Sequence, residues 1–170
     1  ALISMNDMAA PSVSLEGKSL WLAQSLPVTA WQVLRAKLRM HLLLTAVPGA
    51  VLGVCLVAVC DFPAAQMAAV LALAAVFLVF SALLNLFLGL KMPNLHWTSE
   101  ITPIKQSGAV AMALLGGWAY AAAMAALYFL VGRHMGFAAY MAGFIALTLA
   151  AAVLLYIWVR KKGCAIFASL

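Results

Sequence analysis

Charge is what this sequence has least of. Of its 170 residues 8% are charged, against roughly 25% in a soluble globular domain, and only four are acidic. A chain that is also 68% hydrophobic, with mean hydropathy +1.12, belongs in lipid rather than water. Its ten basic residues sit at the ends of apolar runs and form no stripe with interleaved aromatics, so nucleic acid is not an expected partner. The basic excess reads instead as an orientation signal and as contact with anionic membrane lipid. Inside the apolar runs the polar candidates are Thr45, Ser81, Asn85 and Thr148, none of them ionisable. A proton or ion relay would call for intramembrane charge.

Other absences narrow the chemistry. Cys55, Cys60 and Cys164 have no C-x-x-C spacing, so neither a zinc site nor a disulfide framework is indicated. His41, His96 and His134 are far apart, and the topology below sets His134 opposite the other two, so they share no metal site. No Ser-His-Asp set, H-E-x-x-H helix or paired intramembrane carboxylates occur. An enzyme is therefore not expected, nor a cofactor. Gly17-Lys18-Ser19 matches the end of a phosphate-binding loop, but position 12 is Ser where that pattern needs Gly, and no buried strand precedes it. If ATP is used, a partner binds it. No basic n-region, apolar h-region and cleavage site precede the first polar stretch, so the start is read as internal or trimmed.

Four apolar runs are long enough to cross a hydrocarbon core of about 30 Å, which takes ~20 helical residues. They cover residues 42–60, 67–90, 108–131 and 137–159. Inside lipid only a helix or a closed barrel satisfies the backbone, and alternating barrel strands are absent, so the expectation is an all-α integral membrane fold. Arg35, Lys37 and Arg39 precede the first run, Lys91 and Lys105 lie between the second and third, and Arg160, Lys161 and Lys162 follow the fourth. The other face holds Asp61 and Arg133, in hairpins 61–66 and 132–136. This positive-inside bias assigns both ends of the chain to the cytoplasmic side of the cell membrane. The organisation is then a loop at 1–14, an amphipathic segment at 15–40, a four-helix domain at 41–162 and a cytoplasmic tail at 163–170.

Small residues mark the packing faces. Ala109, Ala113, Gly117, Ala121 and Ala125 recur every four residues in the third run, and Gly49 and Gly53 form a GxxxG pair just after Pro48, which is expected to kink its helix. Asn85 is placed to hydrogen-bond a neighbouring helix or, as the alternative, a substrate.

The segment before the first run is patterned. A helix is expected from Leu15, with Glu16 in its first turn and Leu15, Leu22 and Leu26 on one side, ending at Pro27. A second starts near Ala30, because Thr29 and Gln32 have capping-box spacing and Val28 and Val33 staple positions. It carries Trp31, Leu34 and Leu38 among Arg35, Lys37 and Arg39, as a helix does that lies on the inner membrane surface and then dips in. Trp21 and Trp31 suit headgroup depth.

The run Glu16-Gly17-Lys18-Ser19-Leu20-Trp21-Leu22, followed by Ser25-Leu26-Pro27-Val28-Thr29 and Val33-Leu34-Arg35-Ala36-Lys37-Leu38, resembles the cytoplasmic coupling segment in permease subunits of bacterial ABC exporters of the second class. In that family an acidic-Gly, Leu-rich, Leu-Pro-Val, Lys-Leu pattern lies between the second and third membrane helices, and four helices follow it. The resemblance implies that this chain is the C-terminal part of such a permease, with a separate ABC-type ATPase subunit docking on Glu16, Gly17, Leu22, Leu26, Pro27 and Lys37. It also implies pairing with a second permease, as a homodimer or heterodimer. The central loop, Lys91 to Glu100 and then Lys105-Gln106-Ser107, resembles a loop of ABC permeases of this kind. There His96, Trp97, Glu100 and Lys105 form either an ion-pair cluster that meets a partner or a solvated loop with Trp97 at the interface. Thr102 and Pro103 suit the start of the third helix. A different expectation stays open beside transport: a membrane scaffold or sensor that uses its basic segment to bind lipid or another membrane protein.

Overall fold

A computed structural model describes residues 9–19, 25, 27–60, 62–94, 107–132, 134 and 136–169. Among them every regular element is helical. After a 3-10 turn at Ser14–Ser19 come α1 (Ala30–Val59), α2 (Ala64–Lys91), α3 (Gly108–Leu127), α4 (Phe137–Trp158) and the short α5 (Cys164–Ser169). A π-helical turn at Tyr128–Gly132 extends α3, and another at Val159–Gly163 joins α4 to α5 without a break. Four of these helical stretches are long and apolar enough to span a bilayer, which makes this a multi-pass membrane protein.

The start of α1 follows the predicted chemistry. Thr29 Oγ1 accepts the Gln32 N–H at 3.3 Å, while Gln32 Oε1 accepts the Thr29 N–H at 2.8 Å, so two orphan donors of the first turn satisfy each other's residues. From there α1 runs unbroken for 30 residues, through Pro48. At about 1.5 Å per residue it is roughly 45 Å long. Residues 30–40, expected to begin a helix that lies on the inner membrane surface and then dips in, form the first turns of this continuous helix. Leu34, His41 and Thr45 are buried, so one side of its first half packs on protein. The 3-10 turn at Ser14–Ser19 replaces the start of the helix expected from Leu15, and Leu20, Trp21, Leu22 and Leu26 lie outside the described residues.

The second helix, α2, is central. It packs most extensively on α4, with which it runs parallel, and also on α3 and α1, which run the other way. The start of α1, the ends of α2 and α4 and the start of α3 thus meet at one end, called here the basic end after Arg35, Lys37, Arg39, Lys91, Arg160, Lys161 and Lys162. The bundle is closed there by Val13, Leu34, Leu86, Leu90, Val159 and Phe167. A second cluster, Leu73, Tyr140, Met141 and Phe144, lies towards the opposite end. The tail expected beyond residue 162 is helical through Ser169, and it is anchored because Phe167 is only 2% exposed.

Tyrosine hydroxyls fasten α3 to its neighbours. The Tyr120 ring stacks on Phe77 at 4.6 Å, and its hydroxyl lies 2.6 Å from Thr148 Oγ1, which itself donates to the Phe144 carbonyl. Tyr140 donates to the Met124 carbonyl at 2.5 Å. The small-residue strip of α3 packs over only part of its length: Ala109, Ala113 and Gly117 are buried, whereas Ala121 and Ala125 are exposed. Positions four apart drift by about 40° per step on a helix of 3.6 residues per turn, which carries the later members off the contact face. Gly49 and Gly53 do face α2, near Leu78 and Leu71 respectively. Asn85 bonds the Ser81 carbonyl of its own helix at 2.9 Å rather than a neighbour, and its Oδ1 is buried with no partner.

A double-mutant cycle of Tyr120→Phe and Thr148→Val, read by denaturant unfolding in micelles, should give a coupling of about 0.6 kcal/mol, the usual value for a hydrogen bond between membrane helices.

Candidate functional site

A stretch of enclosed backbone lies between residues 9 and 16. Ser, Pro and small apolar residues make this stretch a poor helix, and as a loop it would normally lie on the surface. Instead Ala10, Val13 and Ser14 are fully buried and Ala9 is 2% exposed. Its fold is local: the Leu15 N–H bonds the Pro11 carbonyl at 2.8 Å, and Ser12 Oγ bonds the Ala9 carbonyl at 2.7 Å.

This buried turn sits among the helix ends at the basic end. Val13 shares a buried cluster with Leu34 of α1, Leu86 and Leu90 of α2, Val159 of the π-helical turn and Phe167 of α5. Ala10 packs with Ala109 and Ala113 of α3. It also crosses α2 at Gly89, where a Cβ would overlap the Ala10 carbonyl oxygen. Only glycine permits that approach.

Buried backbone needs partners, and α1 supplies two of them. His41, 1% exposed, accepts the Ala9 N–H on Nδ1 at 3.2 Å, which places its own proton on Nε2. One turn earlier, the Lys37 ammonium donates to the Ser12 carbonyl at 2.7 Å and pairs with the Glu16 carboxylate, also at 2.7 Å. Both side chains are largely buried, at 13% and 23% exposure. On the other side the Asn94 N–H, just past α2, donates to Ser14 Oγ at 3.0 Å.

The structure thus joins two of the residues predicted for ATPase contact, Glu16 and Lys37, to each other. Gly17 lies in the adjoining 3-10 turn, and Pro27 is exposed before α1. Leu22 and Leu26, and the loop residues His96, Trp97, Glu100 and Lys105, lie outside the described residues. Sequence reasoning missed His41, Ser12, Ser14 and Gly89. A signal was present, since Leu34, Lys37, His41 and Thr45 follow helical spacing and form one inward stripe on α1.

Two cavities flank α1. One, of about 400 Å³, lies beside the buried turn and is lined by Ser12, Glu16, Val33, Lys37, Met40 and His41 among others. The other, of about 560 Å³, separates α1 from α2 around Gly49, Gly53, Leu71 and Leu78, with purely apolar walls. Among the described residues no group of His, Cys, Asp and Glu could hold a metal ion. At this end of the bundle a bent strap, held by an ion pair and by close backbone contact, packs among the helix ends.

Two outcomes follow. A cycle of Glu16→Gln and Lys37→Met, measured by unfolding in micelles, should return a coupling of about 2 kcal/mol, as for a charged hydrogen bond shielded from water. With the native cysteines replaced, Ala10→Cys should resist maleimide, and adding Gly89→Leu should make it reactive.

Comparison of the chain with protein-family models, with curated proteins and with solved structures finds no match.

Proposed function

We propose that this chain is the membrane-spanning permease subunit of an ATP-driven exporter of the ABC type, moving a substrate across the cell membrane with energy from a separate ATPase subunit. The observation that carries this reading is that the buried turn runs directly, in sequence, into the segment resembling a coupling helix. Glu16 belongs to both: it opens the acidic-Gly motif and pairs with Lys37 of α1.

In this reading the basic end faces the cytoplasm, as the distribution of Lys and Arg favours. The ATPase docks on the segment from Leu15 to Leu38, with Leu22 and Leu26 as apolar contacts. Closure of the ATPase dimer displaces the segment, and the strap passes that displacement to the ends of α1, α2, α3 and α4 together. ATP shifts the bundle between two states only as far as the ATPase contacts the segment differently in each. A second permease, identical or related, completes the pathway. No step requires this chain to bind nucleotide.

Purification of the protein with its native neighbours should recover an ATPase subunit. Leu22→Asp or Leu26→Asp should release it, while Arg133→Ser should not. Gly89→Leu should behave differently, retaining the ATPase but losing efflux, because it breaks transmission rather than docking. Absence of any ATPase, with efflux unaffected by all these changes, would overturn the proposal in favour of a membrane scaffold or sensor.

A further inference from the structure

The parallel helices α2 and α4 end side by side at the basic end. Leu90 and Val159 share a buried cluster, and a Cβ on Gly163 would lie 3.0 Å from Leu90 Cδ1, so the last turn of α2 rests on the π-helical turn. That turn keeps Val159 and Gly163 inward and leaves Arg160, Lys161 and Lys162 all exposed. Lys91, next to Leu90, is exposed on the same edge. Four cations therefore share one corner of the protein.

Among the described residues the one ion pair is Lys37 with Glu16, and that pair belongs to the strap. Cations crowded together repel each other, and a bound anion relieves that repulsion.

The surroundings identify the anion. One turn before the cations, Val153, Leu154, Tyr156 and Ile157 are exposed apolar groups on a spanning helix, so acyl chains border the patch. Between the two zones lies an aromatic pair, Phe87 and Trp158, with ring centroids 4.5 Å apart, and Lys91 Nζ stands 5.7 Å from the Phe87 centroid. Aromatic rings below and ammonium groups above are the arrangement of the headgroup layer. We infer that the corner formed by Phe87, Lys91, Trp158, Arg160 and Lys162 binds the headgroup of an anionic phospholipid.

The test is titration of the detergent-solubilised full chain with palmitoyl-oleoyl phosphatidylglycerol or with phosphatidylcholine of the same acyl chains, counting bound lipid by native mass spectrometry. The wild type should prefer phosphatidylglycerol. Each cation near an anionic surface is worth a factor of about five, so Lys91→Gln with Lys162→Gln should weaken phosphatidylglycerol binding about 30-fold and leave phosphatidylcholine unchanged. Arg35→Gln with Arg39→Gln removes the same charge from exposed positions of α1 and should cost less than about threefold. Circular dichroism of both variants checks that the helices remain. Equal binding of the two lipids, or equal loss in the two double variants, would overturn the inference. So would a result in which the Lys91 and Lys162 changes release an acidic protein partner but leave phosphatidylglycerol binding intact.

Discussion

Backbone that is neither helix nor strand can lie inside a membrane protein only where other groups satisfy its amides and carbonyls. Residues 9–16 meet that condition through a short set of partners: the His41 ring, the Lys37 ammonium, and the turn's own serine and backbone bonds. The rest of the basic end is arranged around this solution. α1 stays helical down to Ala30 because the strap covers its inner stripe, and α2 has glycine at position 89 because the strap crosses there. Phe167 is drawn into the core because Val13 and Leu34 leave a surface for it.

The bundle is unevenly fastened. α2, α3 and α4 are held by aromatic stacking and by two tyrosine hydroxyls that reach across helices, so their contacts are specific as well as apolar. α1 is secured at its basic end by the strap and by α5, but past Thr45 it faces α2 across an apolar cavity, and most of its large side chains there are exposed. One end of α1 is thus fixed in a crowded, partly ionic setting while the other faces lipid.

Much of this architecture was legible in the sequence. The four spans follow from the length of the apolar runs, and the start of α1 from the reciprocal spacing of Thr29 and Gln32. The strap was not legible, because serine and proline in a short run announce a loop without saying whether it is exposed or enclosed. The same limit applies to the tyrosines. Tyr120 and Tyr140 in an apolar run look like bulk, and their hydroxyl partners, Thr148 and the Met124 carbonyl, lie on other helices. Spacing within one helix cannot reveal them. The covering of Leu34 on α1 was hidden for a related reason: the pattern of residues 30–40 shows an amphipathic helix, but the apolar side fits protein as well as it fits lipid.

The π turn at Val159–Gly163 sets the phase of everything after it. Val159 and Gly163, four residues apart, lie on its inner side, as such a pair also does on an ordinary helix, and the wider winding shifts the phase of the residues that follow. Removing a single residue there would rotate the following helix by about 100°. Phe167 would then swing out of the core and a polar or small neighbour would take its place beside Val13. The closure of the bundle is in that sense a matter of counting: the number of residues in one wide turn decides which face of α5 points inward.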